Sequence, residues 1–581
     1  MVLKNVFIFL IATGLFSCGS RKQNADLIVV NARIYSVDSA FSVFEAMALN
    51  NGTITMLGTS DEIKQQFSSP ETLDAKGAVV YPGFIDAHCH FVGYGLGLGR
   101  VNLVGTKSFN EVVERVQQFT SQNFTEKAKK NVKIKSFDGS WIIGRGWDQN
   151  DWTDKKYPNR KKLDSLFPDR PVFLQRIDGH AALVNSVALE LAGINSNTYV
   201  KGGKVEGELI FGGEEKWMRP EILKEIKHHG YPIWVPTGIL IDNAVDLVKK
   251  IIPPATLKEK ERALLAAQEN CFAMGLTTVD DAGLMKEDVD LIDSLQRCGK
   301  LQIRIYAMLS DSAPNYDYYL KTGPYKTEKL NIRAFKFYAD GALGSRGACL
   351  KEDYSDQKNW KGFLLNEQKH FEQKAELLAK TPFQMATHCI GDSAYKIILA
   401  AYKRAGIKKA NRWRIEHAQV ISSGEISQSD FIIPSIQPTH ATSDMYWVGE
   451  RLGKNRSKYA YAYKDLLKNA GLVALGTDFP VEDISPFKTF YAAVTRQDAK
   501  GYPGGGFQME NALSREEALR GMTIWAAYSN FEEHEKGSLE KGKQADFIIL
   551  DTDLMNCDIK NVLSGKVEHT YIGGKKVYQA N

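Results

Sequence analysis

The chain is poor in cysteine and in long apolar runs, and each shortage excludes something. Seven cysteines (Cys18, Cys89, Cys271, Cys298, Cys349, Cys389 and Cys557) are scattered over 581 residues. None forms a C-x-x-C pair, so no disulfide framework is encoded, and most read as small buried hydrophobes. After the first twenty residues no run is long and apolar enough to span a bilayer. A basic stripe with interleaved aromatics is missing too. The net charge of +5 is small for the length and spread along it, which argues against nucleic acid as a partner. The basic clusters at 127–130, 160–162 and 224–229 read as solvated faces or loops. What remains is ordinary: 43% hydrophobic and 25% charged residues, enough for a sizeable core.

The first residues differ from the rest. Lys4 gives a weakly positive start and 6–16 is an apolar run too short for a stable span, a secretory signal pattern. It ends Leu15-Phe16-Ser17-Cys18-Gly19, which resembles a bacterial lipobox. Residues 1–18 are therefore expected to be a lipoprotein signal, with Cys18 lipidated. That puts the protein at the bacterial cell envelope, on the periplasmic or surface side, touching membrane only through the anchor.

Residues 26–80 read as β structure, with Asn50-Asn51-Gly52 as a turn between strands. The far end, 540–581, has the same character: a strand at 545–550 and a hairpin over 567–578 turning at Gly573-Gly574. Each end is too small for its own core, so the two are expected to pair into one composite β-sandwich. Between them, over 81–539, strands alternate with helices. Eight strand-like runs occur, at 79–87, 275–281, 302–309, 331–340, 383–389, 412–418, 430–437 and 472–478. Helical stretches such as 258–273, 369–379, 393–405 and 463–470 separate most of them. Eight repeats predict an α/β fold, a (β/α)8 TIM barrel. The gap of about 91–270 is then a large insertion after strand 1, expected to roof the mouth of the barrel.

The chemistry gathers at the strand ends. The first run ends His88-Cys89-His90. Side chains i and i+2 share a face of a strand, so the two imidazoles point together and Cys89 points away. Later runs carry Lys336 among apolar neighbours, an expensive place for an unpaired ammonium, then Thr387-His388, Glu416-His417 and Thr477-Asp478. Taken singly, each could be a core histidine or a helix-capping aspartate. Only 11 histidines exist, yet four sit at barrel strand ends, where catalytic groups converge.

Several longer motifs accompany them: Pro82-Gly83-Phe84-Ile85-Asp86-Ala87-His88-Cys89-His90, Gly144-Arg145-Gly146-Trp147-Asp148, Asp178-Gly179-His180, Asp340-Gly341-Ala342-Leu343-Gly344-Ser345-Arg346-Gly347-Ala348 and Gly476-Thr477-Asp478-Phe479-Pro480. With these the chain resembles the amidohydrolase superfamily, within it the amidohydrolase-3 branch that includes N-substituted formamide deformylases and YtcJ-like hydrolases. The resemblance implies that His88, His90 and Asp478 bind one divalent ion and His388 and His417 a second. It also implies that Lys336, carboxylated by CO2 to a carbamate, bridges the two. Two Zn2+ suit nitrogen and carboxylate donors best, with Mn2+, Fe2+ or Ni2+ as alternatives. A single-metal site with Lys336 as a plain cation or general acid is the other arrangement.

The reaction implied is hydrolysis of a C–N bond, an amide or N-formyl-type bond of a small molecule, by a metal-activated hydroxide. Asp478 would be the base that later returns the proton to the leaving nitrogen. His180 would donate to the substrate carbonyl. Trp147, Asp148, Arg346 and His440 are candidate substrate contacts, and aromatic residues such as Trp152, Trp217, Tyr446 and Trp447 suggest an apolar-lined pocket. A cyclic amidohydrolase or a deaminase on the same scaffold is the alternative, though Lys336 argues against a one-metal deaminase. A non-catalytic ligand-binding surface lipoprotein is the reading from another class, and it predicts lost ligands. A homodimer is left open.

Overall fold

A computed structural model describes residues 22–123, 141–210 and 233–580. The apolar leader with Cys18, and Trp217, lie outside the described residues. No described helix is long and apolar enough to cross a membrane.

Eight parallel strands form the central sheet: β1 (Phe84–Cys89), β2 (Leu276–Leu284), β3 (Arg304–Ser310), β4 (Leu330–Tyr338), β5 (Gln384–Cys389), β6 (Arg414–His417), β7 (Ile433–Ile436) and β8 (Ala474–Leu475). They pair in that order. Beyond β8 the chain returns to β1: Asp478 N donates to His88 O and His90 N donates to Phe479 O, both at 2.8 Å. The ring is thereby nearly closed, as a TIM barrel requires. Gly476 permits the approach. A Cβ there would lie 2.5 Å from His88 N and 2.9 Å from His88 O. Asp86 fixes the same seam, accepting from Thr477 N at 3.0 Å and from Thr477 Oγ at 2.7 Å.

Between strands run helices such as Leu257–Ala273, Gln368–Leu378, Asp392–Arg404 and Tyr463–Ala470. The first is started by a capping box between Thr256 and Glu259. Their apolar faces join the strands in one large core that includes Phe272, Phe335, Phe371, Ile398 and Leu466.

The run at 79–87 is not a single strand. Val79–Pro82 pairs antiparallel with Phe547–Leu550, in a six-stranded sheet built from both chain ends. Only Phe84–Cys89 belongs to the barrel, so the boundary lies at Pro82-Gly83 rather than after residue 80. Both halves are buried, and two fully buried strands in succession read as one apolar run. A second sheet, of four strands, holds Leu27–Val30, Ala46–Asn50, Thr53–Gly58 and Glu71–Asp74. The two sheets share an apolar cluster containing Val29, Ile34, Leu49, Phe547, Ile549 and Tyr571.

The insertion carries its own six-stranded sheet, in the order Val101–Asn102, Ile142–Trp147, Val172–Arg176, Ala181–Val184, Ile233–Asp242, Gly203–Ile210. Alternate residues feed opposite faces. Leu174, Leu183 and Ile239 pack on one side, and Phe173, Ala182 and Leu240 on the other.

Candidate active site

A cleft of about 650 Å3 lies over the C-terminal ends of the barrel strands, between them and the insertion. The barrel contributes His90, Tyr338, His388, His417, His440 and Asp478 to its lining, and the insertion Arg145, Asp148, Asp178 and His180.

At the floor, three imidazoles are oriented from behind. His88 Nδ1 lies 2.5 Å from Glu416 Oε2, His90 Nδ1 3.1 Å from the Ala282 carbonyl, and His417 Nδ1 2.7 Å from Gln437 Oε1. Carboxylate and carbonyl oxygens only accept, so each Nδ1 carries the proton and each Nε2 offers a lone pair. The burial of His88 and then the nearby Lys336 ammonium lower its pKa to about 4, which keeps the ring neutral. Burial and neighbouring rings push His388 and His417 well below the ordinary histidine value.

Asp478 meets these lone pairs. Its Oδ1 lies 3.3 Å from His90 Nε2 and 3.8 Å from His88 Nε2, and its Oδ2 lies 3.2 Å from His440 Nε2. Burial opposes its ionisation, but hydrogen bonding from His440 holds the carboxyl well below the usual carboxylate range. No hydrogen bond forms to His90: Asp478 Oδ1 is buried without a partner, as is His388 Nε2. His88, His417 and Asp478 bring one ligand atom each to within 4.8 Å of one another. The rings of His388 and His417 are 4.6 Å apart. Acceptor atoms converging in a buried site repel unless a cation sits among them. The donor set therefore fits a divalent metal.

Lys336 Nζ is 3.2 Å from His88 Nε2 and fully enclosed; burial lowers its pKa to about 8. Below the histidines lies a layer of buried charge. Arg414 Nη1 donates to Asp280 at 2.9 Å, and its Nε lies 2.7 Å from Glu416 Oε1. That second contact is poorly aligned, leaving Arg414 Nε and Glu416 Oε1 without a hydrogen bond to each other, so it acts as a charge pair. Burial pushes against ionisation of Glu416, yet Arg414 and His88 hold its carboxyl far down. Backbone strain is stored at this floor: His417, Ala418 and Asp478 take φ of 68°, 45° and 62°, a conformation costing on the order of 1–3 kcal/mol each.

At the roof, His180 Nδ1 lies 2.7 Å from Asp242 Oδ1, and its ring is 5.1 Å from that of His388. Burial opposes the charge of His180, but Asp242 holds its pKa above the ordinary value. The glycines of the Asp340–Ala348 motif make room for this pair. A Cβ at Gly341 or Gly347 would meet Asp242 Oδ2 at 2.5 or 2.2 Å.

The sequence profile of the amidohydrolase family matches residues 71–219 and 232–578. The chain belongs to the amidohydrolase family. It is 31% identical over 546 residues to the putative amidohydrolase YtcJ of Bacillus subtilis, covering 92% of this chain and 96% of the relative. The N-substituted formamide deformylase of Arthrobacter pascens is 25% identical over 584 residues, covering 96% and 99%. Among solved structures, an uncharacterized metal-dependent hydrolase from Pyrococcus horikoshii superposes with a TM-score of 0.70 at 27% identity, covering 92% of this chain and all but 1% of the other. The donor set at this chain's barrel mouth is compatible with the metal dependence named for that structure.

The structure brings together all six residues expected to bind metal: His88, His90, Lys336, His388, His417 and Asp478. Two of the expected substrate contacts stand elsewhere. Trp147 is buried in the insertion core, its indole donating to Leu174 O at 2.8 Å, because a bulge between Arg145 and Trp147 turns it off the cleft face. Arg346 does not line the cleft; its guanidinium meets Asp356 at 2.9 and 3.2 Å. Asp148 does line the cleft, but pairs with Arg176 and caps the short helix at Gln149–Asp151. His440 lines it too, and holds Asp478 and Glu482. Trp447 faces the cleft, whereas Trp152 is core.

Glu416, Gln437, Asp242 and Arg145 were missed from sequence. Glu416 precedes a metal-type histidine, and strand alternation should send the two to opposite faces. The left-handed turn at His417 brings both inward.

Proposed function

We propose that this amidohydrolase cleaves a C–N bond, of the amide or N-formyl type, in a small molecule, with two divalent ions that its buried histidines, Asp478 and a carbamate on Lys336 would hold. The observation that carries the proposal is the convergence of buried lone pairs from His88, His417 and Asp478 beside the enclosed amine of Lys336. The deformylase relative supports the bond type. The two sheets from the chain ends are read as a small sandwich clamped to the barrel through Arg304 and Asp546.

Bound divalent ions would acidify water and polarise the substrate carbonyl. His88, His90 and Asp478 would hold one, and His388 and His417 the other. The chain's own groups do the rest. Lys336 with a pKa near 8 is partly unprotonated at neutral pH. Its amine can add to CO2 and release one proton, leaving an anionic ligand where a buried ammonium was costly. Asp478 takes a proton from the attacking water and returns it to the leaving nitrogen, and its hydrogen bond to His440 fixes which oxygen is free for that work. His180, backed by Asp242, donates to the substrate carbonyl oxygen as it gains charge.

The test is metal analysis of the purified protein with a screen of N-formyl, N-acyl and cyclic amides. Asp478→Asn is expected to fold and to lose about 10²- to 10⁴-fold in kcat; wild-type turnover would remove Asp478 as the base. Isotopically labelled bicarbonate should yield a carbamate signal that Lys336→Ala lacks. One ion per chain and an unmodified lysine would overturn the two-metal arrangement.

A further inference from the structure

Two cations in the cleft have no part in the chemistry above. Arg145 lies on the strand Ile142–Trp147, beside Asn102 of the parallel strand Val101–Asn102. Arg100 stands two residues before Asn102, in the bend that leads into that strand. All three residues line the cleft.

Other cations of the cleft wall are matched. Arg176 is bonded to Asp148 and Asp178, His440 to Asp478 and Glu482, and Lys488 to Asp483. Among the described residues neither Arg145 nor Arg100 forms an ion pair. Arg145 donates from one Nη to the Ile177 carbonyl at 2.8 Å, and its Nε is buried with no partner at all. Burial lowers the pKa of Arg145 to about 10, and the Arg100 charge adds to the strain. A half-buried guanidinium whose enclosed Nε donor is idle is costly unless something anionic completes it. Asp478, at the floor, is the acid whose charge Arg145 feels most strongly, and both arginines line the cleft that Asp478 also lines.

We propose that Arg100 and Arg145 form a carboxylate-binding subsite, and that the substrate is an amide bearing a carboxylate, with the scissile C–N bond at Asp478 and the carboxylate at the two guanidinium groups. This rests on the hydrolase reading of the same site. The guanidinium fork matches a carboxylate bidentately. Asp148, Asp178, Glu482 and Asp483 line the same cleft, so a monoanion meets less repulsion there than a dianionic phosphate.

The experiment compares N-acyl amino acids with their methyl esters, which differ only in the charge, in metal-loaded wild type and in Arg145→Gln and Arg100→Gln. Turnover and equilibrium binding by calorimetry are both read. Wild type should prefer the free acids. Arg145→Gln should raise KM and Kd for the acids by roughly ten- to hundredfold, the range for losing a charge-assisted hydrogen bond, and leave the esters within twofold. If neither series is hydrolysed, the hydrolase reading fails, but the binding preference still tests the subsite. Equal binding of acid and ester by wild type overturns the inference. So does a preference for the acid that Arg145→Gln leaves intact, because the carboxylate would then be read by the metal centre. An equal loss for acid and ester in Arg145→Gln overturns it as well, assigning Arg145 to the architecture of the roof.

Discussion

Glu416→Gln removes one negative charge from the middle of the barrel and changes almost no volume. In the wild type that charge faces two partners: His88 Nδ1 at 2.5 Å and Arg414 Nε at 2.7 Å. An amide oxygen can still accept from His88, so the ring can keep its orientation, but the bond loses its ionic half. Loss of such an outer partner typically lowers metal affinity about 10- to 100-fold, or about 1.4–2.7 kcal/mol. The fold suffers separately. Removing one member of a buried ion pair costs about 3–5 kcal/mol, and the low end applies here because Arg414 keeps Asp280 at 2.9 Å. The assay is a competitive chelator titration of the metal-loaded protein, run beside urea denaturation of the same preparations. Both quantities should fall in Glu416→Gln, with affinity falling even under conditions where all of the variant is folded. If the variant holds metal within twofold of wild type and denatures at the same midpoint, then Glu416 neither orients His88 nor balances Arg414, and the layered account of the site is wrong.

Asp546 clamps the chain-end sheets to the barrel through Arg304, at 2.6 and 2.9 Å. Burial opposes its ionisation, but Arg304 holds its pKa below the ordinary aspartate value, so its contribution is present above pH ~3.9 and lost as pH falls through the depressed folded value. Asp546→Asn should therefore cost about 3–5 kcal/mol at neutral pH, and the gap to wild type should close below about pH 4 in denaturation curves; a gap independent of pH would refute the clamp. Gly476→Ala forces a Cβ to 2.5 Å from His88 N, and should cost about 1–3 kcal/mol together with bound metal. Denaturation and metal content identical to wild type would show that the seam can open at no cost.

The barrel was legible because its signals are local. The capping box at Thr256 and Glu259 starts the helix at Leu257, and Asn51 and Gly52, at φ of 50° and 75°, make the turn that their residue types announce. The floor of the site was legible because strand ends converge whatever the loops do. The roof was not. Trp147 and Arg145 stand two apart on one strand and by alternation should share a face; Gly146, at φ 113°, and the bulge beside it separate them. Arg346 was misplaced for a related reason. Its partner Asp356 is ten residues on in an irregular loop, and no periodicity reports such a pairing.

That division between floor and roof bears on what the protein can discriminate. The groups that could hold metal come from the ends of β1, β4, β5 and β6 and from the turn after β8, with His88 and His417 braced by Glu416 and Gln437. The groups that would meet the rest of a substrate, Arg100, Arg145, Asp178 and His180, hang from the sheet of the insertion. The two layers meet where Asp242 is seated on Gly341 and Gly347. A substitution in the roof away from that seat can therefore alter the choice of substrate and leave the metal affinity alone. A substitution at the seat disturbs His180 and the barrel loop together. Substrate selection and metal binding are coupled in this chain at that seat.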